Sequence, residues 1–275
     1  VPLKSCPKVS ILVPAYNEEN CIADTIESLI EASYPNKEII VVDDGSTDRT
    51  AKIAMQYSSE GVKVFSKENG GKSSALNYGV ALSDGDLVII VDADSIIGRR
   101  AIQELVRKFE NPDVVAVCGN IKVRNRNNFL TKCQALEFIF GINIARRALD
   151  MFGSISVVPG ALGAFRRGTL TECGLYDKDT LTEDFDTTLK VLKTGKVIQA
   201  SAYATAYSEA PATIRDLYKQ RVRWYRGNYQ TVFKHRDVFT NPRFGTLYRL
   251  SFPFLLLNML ILPFIGIIIG ASTIM

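Results

Sequence analysis

Short β-branched runs alternate with amphipathic helical patterns through the first hundred residues, and this alternation constrains the fold more than any other feature. Such alternation is typical of a parallel sheet built with right-handed crossovers. We predict strands at 9–13, 39–42, 62–65 and 87–91, separated by helices that begin after Asn20, after Ser46 or Thr47, and at Ser73. The chain is therefore predicted to be an α/β protein with a mostly parallel sheet flanked by helices.

Polar residues follow each of these predicted strands. They are Pro14-Ala15-Tyr16-Asn17-Glu18, Asp43-Asp44-Gly45-Ser46, Asn69-Gly70-Gly71-Lys72 and Asp92-Ala93-Asp94. In parallel sheets, ligands bind just outside the carboxyl ends of the strands. The sequence therefore predicts that separate loops offer polar groups to one site at that edge of the sheet.

Asp92 and Asp94 are the candidate metal ligands. In an extended segment, residues i and i+2 point to the same side, so both carboxylates can face one cation. Oxygen ligands favour Mg²⁺ or Mn²⁺, which one or two carboxylates usually hold together with substrate phosphates. An Asp-x-Asp sequence is also common in turns that bind nothing. Its position directly after a buried strand favours metal or nucleotide binding.

The segment Gly70-Gly71-Lys72-Ser73 stands at a predicted helix start and resembles a phosphate cradle. Glycine permits close backbone approach, and a helix N-terminus favours anions. A P-loop with Asp92 as the Walker B acid is excluded by spacing, because G-x-x-x-x-G-K-[ST] requires a glycine at the position of Ser66. A plain loop leading into a helix is the alternative. In either case Lys72 is long enough to reach a diphosphate.

Thr182-Glu183-Asp184 precedes a helical pattern of Phe185, Leu189 and Leu192 that Gly195 is expected to end. Acids are common at helix N-termini because the helix dipole favours them. A carboxylate beside other carboxylates and a metal can also accept a proton from an attacking hydroxyl. Both interpretations stay open on these residues alone.

Residues 211–240 are predicted to be helical, with aromatic residues among basic ones, as in a helix at a membrane surface. Within it, Gln220-Arg221-Val222-Arg223-Trp224 has two interpretations. Interfacial anchoring would place Trp224 at headgroup level and the arginines on lipid phosphate, and the segment alone favours this. Alternatively, an arginine clamps a departing diphosphate while the indole stacks on a sugar ring. His235, the only histidine, is expected at the surface.

Residues 250–275 contain no charged side chain, and 252–269 are almost wholly apolar. At about 1.5 Å per residue this length crosses a hydrocarbon core of about 30 Å, although a buried core helix is the alternative. Lys234, Arg236, Arg243 and Arg249 precede the segment, which by the positive-inside rule places the preceding domain in the cytoplasm. We therefore expect a transmembrane helix here, the first of a larger set.

Charge and cysteine usage agree with a cytosolic domain at a membrane. A net charge of +4 with dispersed basic residues favours contact with anionic lipid over nucleic-acid binding. The 5 cysteines show neither paired nor zinc-like spacing, as expected of reduced thiols. The chain opens on Val1 and shows no secretory signal, so we expect a fragment with sequence missing at both ends.

The order of these motifs along the chain resembles that of family 2 glycosyltransferases, over about residues 8–235. The ordered set consists of the four strand-end motifs, Thr182-Glu183-Asp184 and Gln220-x-x-Arg223-Trp224. More narrowly, the set resembles the processive membrane branch of cellulose, chitin, hyaluronan and poly-N-acetylglucosamine synthases. Each motif is weak by itself, whereas the ordered set is specific. The resemblance implies a GT-A catalytic domain at 1–210, an interfacial helical region at 211–249 and a transmembrane helix at 250–275.

The resemblance also implies roles for individual residues. The UDP-sugar would be held by Pro14, Ala15, Tyr16, Glu18, Asp43, Asp44, Lys72, Asp92 and Arg223. Asp94 and Asp92 would hold Mn²⁺ or Mg²⁺, and Gly160, Gln220 and Trp224 would contact the acceptor glycan. Asp184 would be the general base, with Glu183 beside it. The implied reaction is inverting, because the acceptor hydroxyl attacks the anomeric carbon from the face opposite the diphosphate.

Departures from family patterns narrow the expected product. Residues 159–167 lack the cysteine-containing pattern of cellulose synthases, and Thr-Glu-Asp at 182–184 differs from the Gly-Asp-Asp of hyaluronan synthases. The segment 220–224 is nearest to poly-N-acetylglucosamine synthases, so we expect an N-acetylglucosamine or related donor at the cytoplasmic face of a cell membrane. A non-processive transferase that adds one sugar to a lipid-linked or glycan acceptor is the main alternative. An ATP-hydrolysing or nucleotidyl-transferring enzyme and a non-catalytic adaptor are the others.

Overall fold

One mixed sheet organises the computed structural model, which describes residues 6–151 and 155–257. Its strands are β1 (Val9–Ala15), β2 (Lys37–Asp43), β3 (Val62–Ser66), β4 (Leu87–Ile90), β5 (Ile96–Ile97), β6 (Val114–Val123), β7 (Gly163–Arg166) and β8 (Val197–Ser208). Their spatial order is β3-β2-β1-β4-β7-β6-β8-β5. The predicted α/β class is confirmed.

Helices connect and cover these strands. The described α-helices are α1 (Ile22–Ile30), α2 (Thr50–Met55), α3 (Lys72–Leu82), α4 (Ala101–Val106), α5 (Phe129–Glu137), α6 (Ala145–Asp150), α7 (Arg167–Glu172), α8 (Glu183–Lys193), α9 (Ile214–Lys234) and α10 (Phe252–Leu256). Short 3₁₀ segments lie at Gln56–Glu60, Arg107–Glu110, Arg236–Thr240 and Pro242–Phe244, and π-helical turns at Phe138–Ile144 and Leu247–Ser251. The first three α-helices are the crossovers between the first four strands, as the alternating pattern predicts.

Two predicted helix starts are wrong. Cys21, rather than Asn20, stands at the N-cap position of α1. Ser46 and Thr47 do not cap α2, because both are hydrogen-bonded to Asn17 in the neighbouring loop, each at 2.9 Å. The second helix therefore starts further along the chain than predicted.

The half of the sheet built from β3, β2, β1 and β4 is parallel, as predicted. The other half is mixed: β7 is antiparallel to β4 and β6, β6 and β8 are parallel, and β5 is antiparallel to β8. The prediction of a mostly parallel sheet is corrected accordingly. The chain re-enters the sheet at its carboxyl edge, where Gly160 lies beside Asp92. It then runs back along β4 with Gly163 opposite Ile90, so β7 is reversed.

Alternate residues of β1 lie in different layers of the core. Ile11 is fully buried in a cluster that includes residues of α1 and α4, whereas Leu12 belongs to a cluster with residues of α3 and α8. A strand covered on both faces needs apolar residues at every position, which explains the unbroken hydrophobic run in the sequence. The sheet is thus a middle layer, and its carboxyl edge carries the polar loops.

The helix α9 falls within the region predicted to be helical, and the chain then continues through short helical segments to α10. In the stretches 6–151 and 155–257, no helix has both the length and the apolar character needed to cross a membrane. Most of the predicted span at 250–275 lies beyond residue 257, outside the described residues, and it stays a prediction. All the cysteines are free thiols.

Candidate active site

Loops at the carboxyl edge of the sheet enclose a cavity of about 440 Å³. It is lined by Pro14, Ala15, Tyr16, Glu18, Asp44, Asn69, Gly71, Lys72, Ala75, Asp92, Ala93 and Asp94. These residues come from the end of β1, from the segments that follow β1, β2, β3 and β4, and from the start of α3. The metal candidates Asp92 and Asp94 lie in the segment after β4. The structure therefore brings together every site residue predicted in these loops except Asp43.

The first loop is shaped by Asn17, whose φ of 56° lies in the left-handed region. Its side-chain oxygen accepts a hydrogen bond from the backbone N–H of Thr47, and its own N–H donates to Ser46 Oγ. Asparagine tolerates this conformation because its short side chain bonds to nearby backbone. Tyr16 before the turn is 49% exposed, and Glu18 after it also lines the cavity. The turn thus presents an aromatic ring and a carboxylate to the same space.

Asp44 stabilises one wall of the cavity through hydrogen bonds and an ion pair. Its carboxylate accepts hydrogen bonds from the backbone N–H groups of Gly70 and Gly71, the shorter at 2.7 Å, and pairs with the Lys67 ammonium at 2.6 Å. These bonds hold the loop in front of α3 and leave the Asp44 carboxylate with little capacity for a ligand. Asp43 is equally buried but does not line the cavity.

Glu18, Asp92 and Asp94 concentrate negative charge on one wall of the cavity. Burial, together with the charges of Asp94 and Asp92, raises the pKa of Glu18 to about 7. Burial and the charge of Asp92 likewise raise the pKa of Asp94. A divalent cation would relieve this repulsion, and carboxylate oxygens are ligands that Mn²⁺ and Mg²⁺ prefer. The chemistry of this wall therefore fits the predicted metal.

Lys72 joins the cavity to the start of α8. Its Nζ lies 2.6 Å from Asp92 Oδ1 and 3.0 Å from Glu183 Oε1. Burial alone would lower the pKa of Lys72, but the charges of Asp92, Glu183 and Asp184 raise it, so the ammonium is charged at neutral pH. A fixed positive charge thus stands between two motifs that are far apart in sequence.

Gly160 lies directly against the Lys72–Asp92 ion pair. A Cβ atom at this position would lie 2.6 Å from Lys72 Nζ and 3.0 Å from Asp92 Oδ1. Atoms do not approach so closely without displacing one another, so a side chain at position 160 would push the ends of the Lys72 and Asp92 side chains away. The predicted acceptor residue therefore lies against the charged wall of the cavity.

Asp184 lies in the first turn of α8. Burial, followed by the charge of Glu183, raises the pKa of Asp184 to about 6, while the charge of Lys72 opposes the rise. Its Oδ1 accepts a hydrogen bond from the N–H of Phe185 at 2.8 Å, as a capping acid would. A carboxylate with this pKa is ionised at neutral pH and is a stronger base than an ordinary aspartate. Its environment therefore suits a general base, and its helix position also gives it a capping contact.

The residues predicted on α9 do not line the cavity. Arg223 is exposed, and the arginine that contacts the indole is Arg221. The Arg221 guanidinium lies 4.6 Å from the ring centre of Trp224 and pairs with Glu137 at 2.7 Å. The predicted roles of Gln220, Arg223 and Trp224 thus rest on the family resemblance.

Sequence reasoning missed a buried charged contact between α8 and the end of α9. Asp186 is fully buried; its Oδ1 accepts a hydrogen bond from His235 Nε2 at 2.9 Å, and its Oδ2 accepts one from Lys234 Nζ at 3.1 Å. The expectation of a surface histidine is wrong, because His235 is 4% exposed. Asp186 could have revealed this contact from the sequence. It lies three residues before Leu189 on the apolar face of α8, and a carboxylate buried on that face requires a polar or charged partner.

Asp177, Asp179 and Asp186 have carboxylate oxygens within 4.8 Å of one another, a spacing that could hold a metal ion. The Lys234 ammonium already lies among them, at 2.6, 2.8 and 3.0 Å respectively. An ammonium compensates the same negative charge that a metal would. These acids are therefore satisfied as an ion-pair network.

A family model described as Glycosyl transferase family 2 matches residues 10–174, the range that holds all the cavity loops. The chain belongs to this family. Two family 2 relatives are poly-beta-1,6-N-acetyl-D-glucosamine synthases of Staphylococcus. That of Staphylococcus aureus (strain MSSA476) is 31% identical over 238 residues, covering 86% of this chain and 57% of the relative. That of Staphylococcus epidermidis is 33% identical over 229 residues, covering 82% of this chain and 56% of the relative. The chain thus spans a little over half the length of these relatives.

Solved structures of other proteins share the fold. The mannosyltransferase PcManGT from Pyrobaculum calidifontis, in complex with GDP-Man and Mn²⁺, gives a TM-score of 0.69 at 24% identity, over 85% of this chain and 65% of that one. The crystal structure of S. aureus TarS gives a TM-score of 0.61 at 20% identity, over 84% and 40%. At these identities the likeness shows the fold alone, which is the predicted GT-A-like α/β fold.

Proposed function

We propose that this chain is the catalytic part of a metal-dependent, inverting glycosyltransferase that extends a polysaccharide from a UDP-sugar. The observation that carries the proposal is the placement of Lys72, whose ammonium contacts Asp92 at the cavity and Glu183 beside Asp184. A diphosphate bound in the cavity and an acceptor hydroxyl at Asp184 would both lie near this charge. This arrangement supports the proposal that the donor and the base act on one sugar.

The cavity supplies groups suited to a nucleotide-sugar. The half-exposed ring of Tyr16 offers a stacking face for a base, and Glu18 can accept hydrogen bonds from uracil or ribose. Lys72 would contact the diphosphate. Asp92 and Asp94 would hold Mn²⁺ or Mg²⁺, which when bound neutralises negative charge on the diphosphate. The Mn²⁺ present with GDP-Man in the PcManGT complex supports this choice of partners.

The chemistry needs one base and no protein nucleophile. The acceptor oxygen forms a bond to the anomeric carbon while the carbon–oxygen bond to the diphosphate breaks. The hydroxyl proton passes to the Asp184 carboxylate, and UDP departs with the bonding electron pair. A pKa of about 6 leaves Asp184 ionised at neutral pH, ready to accept that proton.

The proposed product is a polymer of N-acetylglucosamine or a related sugar. Support comes from the names of the staphylococcal relatives and from the segment 220–224. We further propose that Gln220, Trp224 and Gly160 act on the acceptor side and that Arg223 reaches the diphosphate. The apolar segment at 250–275 would hold the full-length, multi-pass protein in the cell membrane, with the catalytic domain on the cytoplasmic face.

A screen of UDP-sugars for Mn²⁺- or Mg²⁺-dependent UDP release tests the proposal. We expect Asp184→Asn to lower turnover by at least about a hundredfold, as loss of a general base does, with UDP affinity unchanged. The exposed acid Asp216, replaced by Asn, is the matched control. Wild-type turnover in the Asp184 variant would show that this residue only caps α8, and tighter binding of ADP than UDP would overturn the donor assignment.

A non-processive transferase that adds one sugar to a lipid-linked or glycan acceptor is the second candidate, because the sequence motifs leave this alternative open. Product length decides between the two. Full-length protein incubated with the donor should yield chains of many sugars, resolved by mass spectrometry or gel. A product carrying a single added sugar at every time point would establish the alternative.

A further inference from the structure

Contacts to the second half of α9 hold the start of α8. Gly227 is pressed against Thr182, because a Cβ at Gly227 would lie 2.7 Å from Thr182 Cγ2 and 2.9 Å from its backbone nitrogen. The hydroxyl groups of Thr182 and Thr231 are 3.3 Å apart, and Gln230 accepts a hydrogen bond from the N–H of Leu181 at 3.1 Å. Thr182, the residue before α8, is therefore tightly packed against α9.

A network of ion pairs also joins the end of α9 to α8 and to the segment before it. Lys234 Nζ donates to Asp177, Asp179 and Asp186, and Lys190 Nζ pairs with Asp177 at 2.7 Å. Burial alone would raise the pKa of Asp186, but hydrogen bonds from His235 and Lys234 lower it. Hydrogen bonds from residues at the end of α9 thus favour the ionised form of the fully buried Asp186.

The position of this network gives it a consequence for catalysis. Asp186 lies two residues after Asp184 in the first turns of α8, and Lys234 lies ten residues after Trp224 on α9. The segment that contains the candidate base is therefore tied to the helix that carries Trp224. Without the Lys234 ammonium, Asp186 keeps only His235 at 2.9 Å and the more distant Lys190 ammonium at 3.7 Å as partners. A poorly compensated buried charge favours separation of the helices, entry of water or protonation of the carboxylate.

We propose that Lys234 is a positioning residue, whose ammonium serves as a built-in cation in the Asp177–Asp179–Asp186 cluster and fixes α9 against the first turn of α8. Lys234 does not touch substrate in this arrangement. It sets where Asp184 stands relative to the helix that carries Trp224. The inference rests on the proposed transferase function.

Kinetics of Lys234→Ala provide the first test. We expect kcat for sugar transfer to fall between about tenfold and a hundredfold, as for a small misplacement of a reacting group, while KM for the donor stays within about twofold. Lys234→Arg should retain most of the activity. Lys196→Ala is the matched control, because the Lys196 side chain is exposed and its ammonium lies 3.9 Å from Glu172, too far for a strong ion pair. It should leave kcat unchanged.

Chemical rescue separates a positioning cation from a general loss of structure. Alanine at position 234 lacks the three carbons and the ammonium that propylammonium supplies. Added propylammonium should therefore restore part of the kcat of Lys234→Ala and should have no effect on the Lys196 control. Trp224 is the single tryptophan of the chain, so acrylamide quenching of its fluorescence reports on α9 without any activity measurement. Quenching should increase in Lys234→Ala and return with propylammonium.

Unchanged kcat in Lys234→Ala would overturn the inference, as would equal losses of kcat and donor affinity or unchanged Trp224 quenching. If Lys234→Ala does not fold, Asp179→Asn replaces it, because Asp179 is the exposed member of the cluster. That variant should lower kcat by a smaller factor, and wild-type kcat would then contradict the inference. A wild-type protein that transfers no sugar from any UDP-sugar would instead show that the proposed function fails, independently of Lys234.

Discussion

Lys72 Nζ lies 3.0 Å from Glu183 Oε1, so the first residue of α3 touches the first residue of α8. The same ammonium lies 2.6 Å from Asp92 Oδ1. Because one charge contacts both the cavity wall and the segment of the candidate base, the protonation of that base is coupled to Lys72. The pH dependence of transfer follows from this coupling.

We expect kcat at saturating donor and Mn²⁺ to fall as the pH drops through about 6. Asp184 has its pKa raised to about 6, so half of it is protonated at that pH and its protonated form accepts no proton. Below this point kcat should decrease about tenfold per pH unit, and above about pH 7 it should be level. Initial rates between about pH 5 and 8 measure this. A rate independent of pH across that range would remove Asp184 from the role of base.

Lys72→Met should move the acid limb of this profile to higher pH. The charge of Lys72 lowers the pKa of Asp184, so its loss leaves Glu183 and Asp92 to raise that pKa further. Lys72→Arg keeps the charge and should keep the limb in place. The comparison of both profiles is the measurement. Identical profiles for the wild type and the Met variant would contradict the coupling.

Gly160→Ala should raise KM for the donor by about tenfold, equivalent to roughly 1.4 kcal/mol of binding free energy. The new Cβ would overlap Lys72 Nζ and Asp92 Oδ1, and these side-chain ends must move away. Because they are side-chain ends rather than backbone, Tm should change little. Gly168→Ala is the control, since no atom lies within 4 Å of a Cβ there. An unchanged KM would show that the ion pair is not needed for donor binding.

Gly227→Ala should lower the free energy of unfolding by about 1 to 3 kcal/mol through overpacking against Thr182. In an unobstructed helix the same change would be stabilising by about 1 kcal/mol, so the sign is diagnostic. Here the added Cβ would lie 2.9 Å from the Thr182 backbone nitrogen, which cannot yield without moving α8. Urea unfolding measures the difference. A variant more stable than the wild type would contradict the close packing of the two helices.

Glu18→Gln should stabilise the metal-free protein at about pH 8 by about 1 to 2 kcal/mol, after allowance for solvent screening of a partly exposed group. The pKa of Glu18 rises from 4.5 to about 7 on folding, so the folded state holds the proton more tightly. Stability is therefore lost as the pH rises between these values, and the charged form is unfavourable above about pH 7.

Thermal unfolding in the presence of a chelator, at about pH 4 and about pH 8, checks the Glu18 prediction. The gain should be absent at the lower pH and complete at the higher one. Glu60→Gln, at an exposed position, is the control and should show no gain at either pH. An equal gain at both values would mean that charge repulsion is not its cause.

Local sequence patterns were sufficient for the parallel half of the sheet and its crossover helices. The apolar runs around Ile11 and Ile89 indicate strands buried on both faces, and the crossover helices follow from their periodicity. Because parallel strands place their carboxyl ends at one edge, the order of strands and loops along the chain predicts that Glu18, Lys72 and Asp94 meet there. The strands and helices depend on residues near each other in the chain, and the meeting of the loops follows from the strand directions.

Tertiary structure alone decided the features that depend on distant partners. The reversal of β7, the contact of Lys72 with Glu183, and the burial of His235 against Asp186 are set by how separate elements pack. Periodicity shows which face of an element is buried, but it does not show what that face meets. The amino-acid sequence by itself therefore determined the first four strands, the cavity loops and the family. Which charges neutralise one another around the candidate base was decided by packing, because the energy of a buried charge depends on the partner within a few ångströms.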